Sequence, residues 1–190
     1  HDAEEITQLQ IPGVGVEEEY ERYYPAGEVA AHLVGFTNID DHGQEGMELA
    51  LDSWLTGSPG TKEVIKDLKG NVVKELGLKK AAVAGKDVKL SIDLRLQYVA
   101  HKALKTQVEE RGALSGSVVV LNAKTGEILA MANQPSFNPN NRANVPLNNL
   151  RNRAITDVVE PGSTIKPFTV MAALETGRYK PETIINTNPG

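Results

Sequence analysis

The chain has 190 residues, 40% of them hydrophobic, with a formal net charge of −5 and a pI near 5.4. That length suits one ordinary domain or two small ones, and the acidity argues against a nucleic-acid-binding protein, which would show a basic patch. Cysteine is absent, which excludes disulfides and thiolate metal sites, and no apolar run approaches the ~20 residues of a membrane span. Residues 1–24 read as extended, with a turn at Ile11-Pro12-Gly13. Val14 and Val16 follow, then Glu17-Glu18-Glu19, which reads as a solvated face. No signal peptide is visible, and the chain opens on His1, as a piece of a longer protein would. Pro25 suits the first turn of a helix over residues 26–33, stopped at Gly35. A second helix fits residues 44–55, with Met47, Ala50, Leu51, Trp54 and Leu55 as its buried stripe and Gly57 as its stop. Between the two, Asp40-Asp41-His42 reads as a solvated turn, since no paired-histidine spacing accompanies it.

Residues 63–68 and 72–76, joined by Lys69-Gly70-Asn71, read as a hairpin. Small residues over 81–86 suggest a boundary near Gly85. Beyond it the spacing predicts a strand at 88–92, then a helix capped by Asp93 and running to about Glu110. Leu96, Val99, Ala100, Ala103, Leu104 and Val108 form its apolar face, and Gly112 ends it. Strands at 117–121 and 127–132 make a second hairpin, with Gly126 placed for a left-handed turn conformation. An Asn- and Pro-rich loop spans residues 133–152, whose asparagines can close local side-chain turns.

The chemistry concentrates in Glu160-Pro161-Gly162-Ser163-Thr164-Ile165-Lys166-Pro167-Phe168. Pro161-Gly162 signals a turn, Ser163 is of a type favoured at a helix N-cap, and an apolar helix follows to Gly177. Residues three apart share a helix face, with Cβ atoms about 5–6 Å apart, so Lys166 can reach the Ser163 hydroxyl. A serine is a poor nucleophile until a neighbouring base takes its proton. For a lysine to serve near pH 7, burial and nearby positive charge must offset about 4 kcal/mol. The partial positive charge of a helix N-terminus favours both a neutral amine and an incipient alkoxide. Pro167 has no N–H to give the Ser163 carbonyl, and its ring crowds that group, which predicts a distorted first turn. Taken alone, Ser-x-x-Lys also fits a capping serine beside a solvated lysine.

The flanks resemble the active-site segment of the class B penicillin-binding proteins. The likeness extends to Arg22-Tyr23-Tyr24-Pro25-Ala26-Gly27, Ala30-Ala31-His32-Leu33-Val34-Gly35-Phe36, Gly43-Gln44-Glu45-Gly46-Met47-Glu48 and Lys69-Gly70-Asn71, which look like motifs of that family's non-catalytic N-terminal module. Residues 130–140, Ala-Met-Ala-Asn-Gln-Pro-Ser-Phe-Asn-Pro-Asn, look like the segment preceding its active serine. Within the family, the septal cross-linking enzymes of Gram-negative bacteria are most similar. The resemblance implies an α+β fold: a small mixed N-terminal module over 1–84, of pedestal or dimerisation type, then the opening part of an antiparallel transpeptidase sheet flanked by helices over 85–190, with the serine helix packed on it. It implies a serine-type D-Ala-D-Ala transpeptidase in which Ser163 attacks the D-Ala-D-Ala bond and Lys166 takes its proton. The Ser163 N–H would be one oxyanion donor, of a kind worth about 2.7–4 kcal/mol in other enzymes. Implied partners are peptidoglycan stem peptides, β-lactam antibiotics that acylate the same serine, and proteins of the septal division machinery; no cofactor, metal or nucleic acid is implied. The implied location is the periplasmic face of the bacterial inner membrane, through an N-terminal anchor absent from this chain.

The family's S-x-N and K-T-G or K-S-G motifs stand well downstream of the serine. Here Lys124-Thr125-Gly126 and Ser136-Phe137-Asn138 both precede it, and the former sits in a hairpin turn, so both read as coincidences. These residues taken alone are expected to be inactive, to expose a sheet edge and to bury their core poorly. A β-lactam-binding sensor and a serine β-lactamase using the same pair are the alternatives. The N-terminal module favours the transpeptidase, because simple β-lactamases have no such addition.

Overall fold

The computed structural model describes residues 5–6, 8–15 and 21–188. Val16 and the acidic run Glu17-Glu18-Glu19 lie outside the described residues. The fold is α+β, in two compact units, residues 1–156 and 157–190. Residues 5, 6 and 8 are helical where extended chain is expected. The Pro12-Gly13 turn forms as anticipated, closed by the Val14 N–H on the Ile11 carbonyl at 3.1 Å.

The single helix expected over 26–33 is broken. A 3₁₀ turn occupies Gly27–Val29, Ala30 leaves helical geometry (φ −118°, ψ 10°), and α1 is only Ala31–Val34. The break frees the Val29 carbonyl to accept a hydrogen bond from Gln97. β1 (Phe36–Thr37) then pairs antiparallel with β2 (Gly43–Glu45). That pairing shortens the second expected helix, which starts only at Gly46 and breaks again at Leu51 into α2 (Gly46–Ala50) and α3 (Asp52–Leu55). Gly35 and Gly46 meet backbone to backbone with φ of 81° and 60°. A Cβ on Gly35 would strike the Glu45 carbonyl, so both positions need glycine. The residue buried on α2 is Glu48 rather than the expected apolar stripe, and Trp54 stays half-exposed beneath the Lys86 ammonium, 4.1 Å from its ring centre.

The first hairpin forms and is longer than expected: β3 (Thr61–Lys66) and β4 (Val72–Lys80) pair antiparallel, and almost every residue in them is exposed. Residues 88–92 are not a strand. They reach the sheet only at their end, where Ser91 Oγ donates to the Ile128 carbonyl and the Asp93 N–H to that of Leu129. α4 (Leu94–Arg111) begins as expected, Asp93 accepting from the Arg95 and Leu96 N–H groups, and ends at Gly112 with φ 59°. Its buried face only partly matches the expected one: Leu104 is buried and Ala100 and Val108 are half-buried. Gln97, His101 and Leu104 face inward, while Leu96, Val99 and Ala103 are exposed. β5 (Gly116–Leu121) and β6 (Ile128–Gln134) form the second hairpin, turning at Gly126 (φ 78°). The buried apolar core gathers around Ala130, Met131 and Ala132 of β6, with Leu104, Tyr24 and Phe137. A short helix, α5 (Leu147–Leu150), interrupts the expected loop, and another, α6 (Arg153–Thr156), follows it. Each sheet among the described residues has two strands, so open edges remain, as expected of a sheet lacking partners.

Candidate functional site

Ser163 and Lys166 lie in the second unit. Pro161 (φ −71°) and Gly162 (φ 56°) turn the chain into a 3₁₀ segment, Gly162–Ile165, which runs directly into α7 (Lys166–Glu175). Ser163 is therefore the second residue of the 3₁₀ turn. It is not an N-cap: Pro161 holds that position, and no side chain caps the turn. The distortion expected from Pro167 is present. The Ser163 carbonyl is bonded by the Lys166 N–H, three residues on, because the residue four on has no N–H to give. Thr164 anchors the turn by donating its hydroxyl to the Pro161 carbonyl.

This backbone has a consequence for the side chains. A 3₁₀ turn repeats every 3.0 residues, so positions i and i+3 eclipse. Ser163 and Lys166 thus share one edge of the turn. Both are exposed, and among the described residues no hydrogen bond joins the hydroxyl to the amine. The helix beyond carries Phe168, Val170 and Met171, all exposed. Gly177 (φ 69°) follows its end, as expected.

The first unit, taken by itself, holds a polar seam that sequence reasoning missed. Gln97, 0% exposed, donates Nε2–H to the carbonyls of Val29 (2.7 Å) and Met131 (2.8 Å), and accepts the Met131 N–H on Oε1 (2.8 Å). It behaves as a strand residue added to β6. Asn133, 1% exposed, accepts the Ala154 N–H at 2.8 Å and the Ser117 hydroxyl at 2.7 Å, and donates to Asn152 at 2.9 Å. It thereby caps α6, the last element before residue 157. Asn140 brackets Tyr24, accepting its N–H and donating to its carbonyl, both at 2.9 Å. Arg142 donates to the Thr37 carbonyl (3.0 Å) and lies over the Phe36 ring (4.4 Å). The visible signal was polar residues at i and i+4, Gln97 and His101, inside a helical run, and asparagines too numerous for local turns alone.

Two buried histidines border this seam. Burial pushes the His32 imidazole below its ordinary value, although its hydrogen bond to the Asn149 carbonyl (2.7 Å) acts in the opposite sense. Burial likewise lowers His101, whose Nε2 lacks a hydrogen-bond partner and sits 3.9 Å from Glu28 Oε1. Arg22 holds the Glu48 carboxylate through Nε and Nη2 at 3.0 and 3.1 Å, beside a cleft of about 520 Å³ lined by Met47, Leu51, Leu55 and Val88.

Both motif coincidences have structural occupations. Gly126 of Lys124-Thr125-Gly126 closes the β5–β6 turn, and Thr125 donates to Glu127 at 2.8 Å. Ser136 donates to the Glu28 carbonyl at 2.9 Å, while Phe137 is buried between the edges of His32 and Phe36. Asp40-Asp41-His42 is a turn organised by the Asn38 side chain, which accepts from the N–H groups of residues 40 and 42. Among the described residues no cluster of three or more His, Cys, Asp or Glu could hold a metal ion, and no helix is long and apolar enough to cross a membrane.

Comparison with known proteins bears on both halves. Residues 2–90 match the penicillin-binding protein dimerisation domain and residues 116–190 the penicillin-binding protein transpeptidase domain. The chain is 48% identical to peptidoglycan D,D-transpeptidase FtsI of Escherichia coli K12 over 187 residues, covering 98% of this chain and 32% of that protein. It is 48% identical to probable peptidoglycan D,D-transpeptidase PbpC of Pseudomonas aeruginosa over 189 residues, covering 100% of this chain and 34% of that protein. Among solved structures, penicillin-binding protein 3 of Mycobacterium tuberculosis superposes with a TM-score of 0.71 at 34% identity, over 87% of this chain and 34% of that one. Its complex with aztreonam gives the same values. The chain spans about a third of the length of the curated relatives it matches. With matches to both domains and near-complete alignment to these relatives, the chain belongs to the penicillin-binding protein family.

Proposed function

We propose that this chain is the nucleophile-bearing part of a peptidoglycan D,D-transpeptidase, with Ser163 as nucleophile and Lys166 as general base. The observation that supports the reading is the 3₁₀ turn at Ser163, whose backbone puts positions 163 and 166 on one edge at the start of a helix. The names of the relatives support the reaction. The Ser163 oxygen bonds to the carbonyl carbon of the penultimate D-Ala of a stem peptide as its proton passes to Lys166. The C–N bond to the terminal D-Ala then breaks, and the proton leaves on that amine. An amine of a neighbouring stem peptide attacks the ester, forms the cross-link and frees the serine. A β-lactam acylates the same oxygen, but its ring amide opens without losing a fragment, so the adduct persists. Lys166 is exposed on this chain; the burial its role requires is supplied in the intact protein by the remainder of the domain, together with the S-x-N and K-T-G or K-S-G motifs. This reading takes residues 1–84 as the non-catalytic module and 85–190 as the start of the transpeptidase domain. It puts the enzyme on the periplasmic face of the inner membrane, anchored at its N-terminus, working with division proteins at the septum.

The test is mass spectrometry of the intact protein with penicillin. A lasting adduct on Ser163, lost in Ser163→Ala and formed far more slowly in Lys166→Ala, is the expected result. Rapid return to native mass would indicate a β-lactamase, and stable acylation without cross-linking of stem peptides a sensor. A normal acylation rate in Lys166→Ala would remove the role given to that lysine.

A further inference from the structure

The β3–β4 hairpin is unlike the rest of the molecule. Residues 61–80 carry six lysines against three carboxylates, a net +3 within a chain of −5. Among the described residues β3 pairs with β4 alone, and Ile65, Val72, Val73, Leu76 and Leu78 are all exposed. A lone two-stranded ribbon is marginally stable in water. At its base it is held by the Ser58–Val83 bridge, whose two hydrogen bonds measure 2.8 and 2.9 Å.

Its two outer edges differ. The register shifts three times, and each shift leaves an unopposed residue on β4: Lys79, Leu76 and Val73. Bulges twist and bend the strand that carries them, which blunts its edge. β3 carries none, so its outer edge from Thr61 to Lys66 is free of bulges and, among the described residues, pairs with no other strand. Lys62, Val64 and Lys66 alternate on one face of it. In the antiparallel register that opposes residue 62 to residue 66, two copies of this edge would set lysine against lysine, which disfavours that self-pairing. A strand carrying carboxylates opposite Lys62 and Lys66 meets no such repulsion.

We propose that the outer edge of β3 is a docking site for an extended acidic segment of a partner protein, which adds as a third strand. Backbone hydrogen bonds supply the affinity and the two lysines select the charge. The proposal does not depend on the chemistry assigned to Ser163. Lys62 already meets Glu75 at 3.5 Å, but that pair is exposed and contributes little, so it leaves the lysine available.

Hydrogen–deuterium exchange on the intact protein tests this with a synthetic probe, acetyl-Glu-Val-Val-Thr-Glu-Thr-amide, and a control with both glutamates replaced by lysine. Alternate amides of residues 61–66 should slow by about tenfold when the site is nine-tenths occupied by the acidic peptide, less so at high salt, and not at all with the control. The doubly substituted Lys62→Glu, Lys66→Glu protein should reverse that preference, binding the lysine peptide and rejecting the acidic one. Three results would overturn the proposal: equal or absent protection by both peptides; protection that grows with protein concentration alone, which would assign the edge to a second copy; or protection by phosphatidylglycerol vesicles but not by the peptide, which would assign it to a membrane surface.

Discussion

Replacing Gln97 with leucine tests the seam that joins α4 to β6 and to the Gly27–Val29 turn. Leucine nearly matches glutamine in volume, so packing changes little while three hydrogen bonds vanish. The Met131 N–H and carbonyl are buried, and the Val29 carbonyl is half-buried. An orphaned buried N–H costs about 1–3 kcal/mol, and the two carbonyls, each with a second lone pair, contribute less. The expected loss is about 3–4 kcal/mol out of a total stability of about 5–15 kcal/mol. At about 2–4 °C per kcal/mol, the melting temperature of the intact protein should fall by about 6–16 °C. Urea denaturation, with thermal melting as a second readout, measures it. Gln97→Glu sharpens the test. Its carboxylate would keep the Met131 N–H but face two carbonyl oxygens, so its folded pKa should rise above its unfolded value. The variant's stability relative to wild type should then be best in acid and be lost as pH rises through that raised pKa. A leucine variant within about 0.5 kcal/mol of wild type, the range of an indifferent surface change, would mean the seam is held by something else.

Arg22→Ala should destabilise by about 1–3 kcal/mol, less than a fully buried pair because the arginine side chain is 46% exposed, yet more than a surface pair because it strands a carboxylate only 9% exposed; urea titration of the variant measures it. His32 and His101 both have folded pKa values lowered chiefly by burial, so each contributes stability in full above its unfolded value of about 6.5 and loses it as pH falls through the folded value. Stability measured from pH 7.5 to 5 should therefore fall towards acid, by at most about 1.4 kcal/mol per pH unit per histidine, and His101→Gln should flatten the slope. Pro167→Ala restores an N–H opposite the Ser163 carbonyl, so the 3₁₀ turn should relax to α-helix and separate Ser163 from Lys166 by 3.6-residue rather than 3.0-residue geometry. The intact variant should melt no lower than wild type but acylate more slowly with penicillin; unchanged acylation would show that the turn geometry is incidental.

What could be read from the sequence divides according to how far each interaction reaches along the chain. The Asp93 cap, the Gly112 stop, the Gly126 turn and the proline distortion at Ser163 are set by groups within a few residues of one another, and each formed where expected. The continuous helices expected over 26–33 and 44–55 failed because the competing interactions came from elsewhere: Gln97, 68 positions from Val29, and the pairing of β2 with β1. The same limit misjudged the inward face of α4. Counting apolar side chains rightly selects Leu104 but also Leu96, Val99 and Ala103, and it cannot register that a glutamine can complete a strand's backbone, which is worth more in a buried seam than in water. At the candidate site the gap is of another kind. The distorted turn that carries Ser163 was legible because the proline effect is local, whereas the exposure of Lys166 is set by groups distant in the chain and no local pattern reports it. Apolar Leu96 and Val99 on α4 belong to the same question as the exposed lysine: a pattern of spacing says which side chains share a face, not which face is covered.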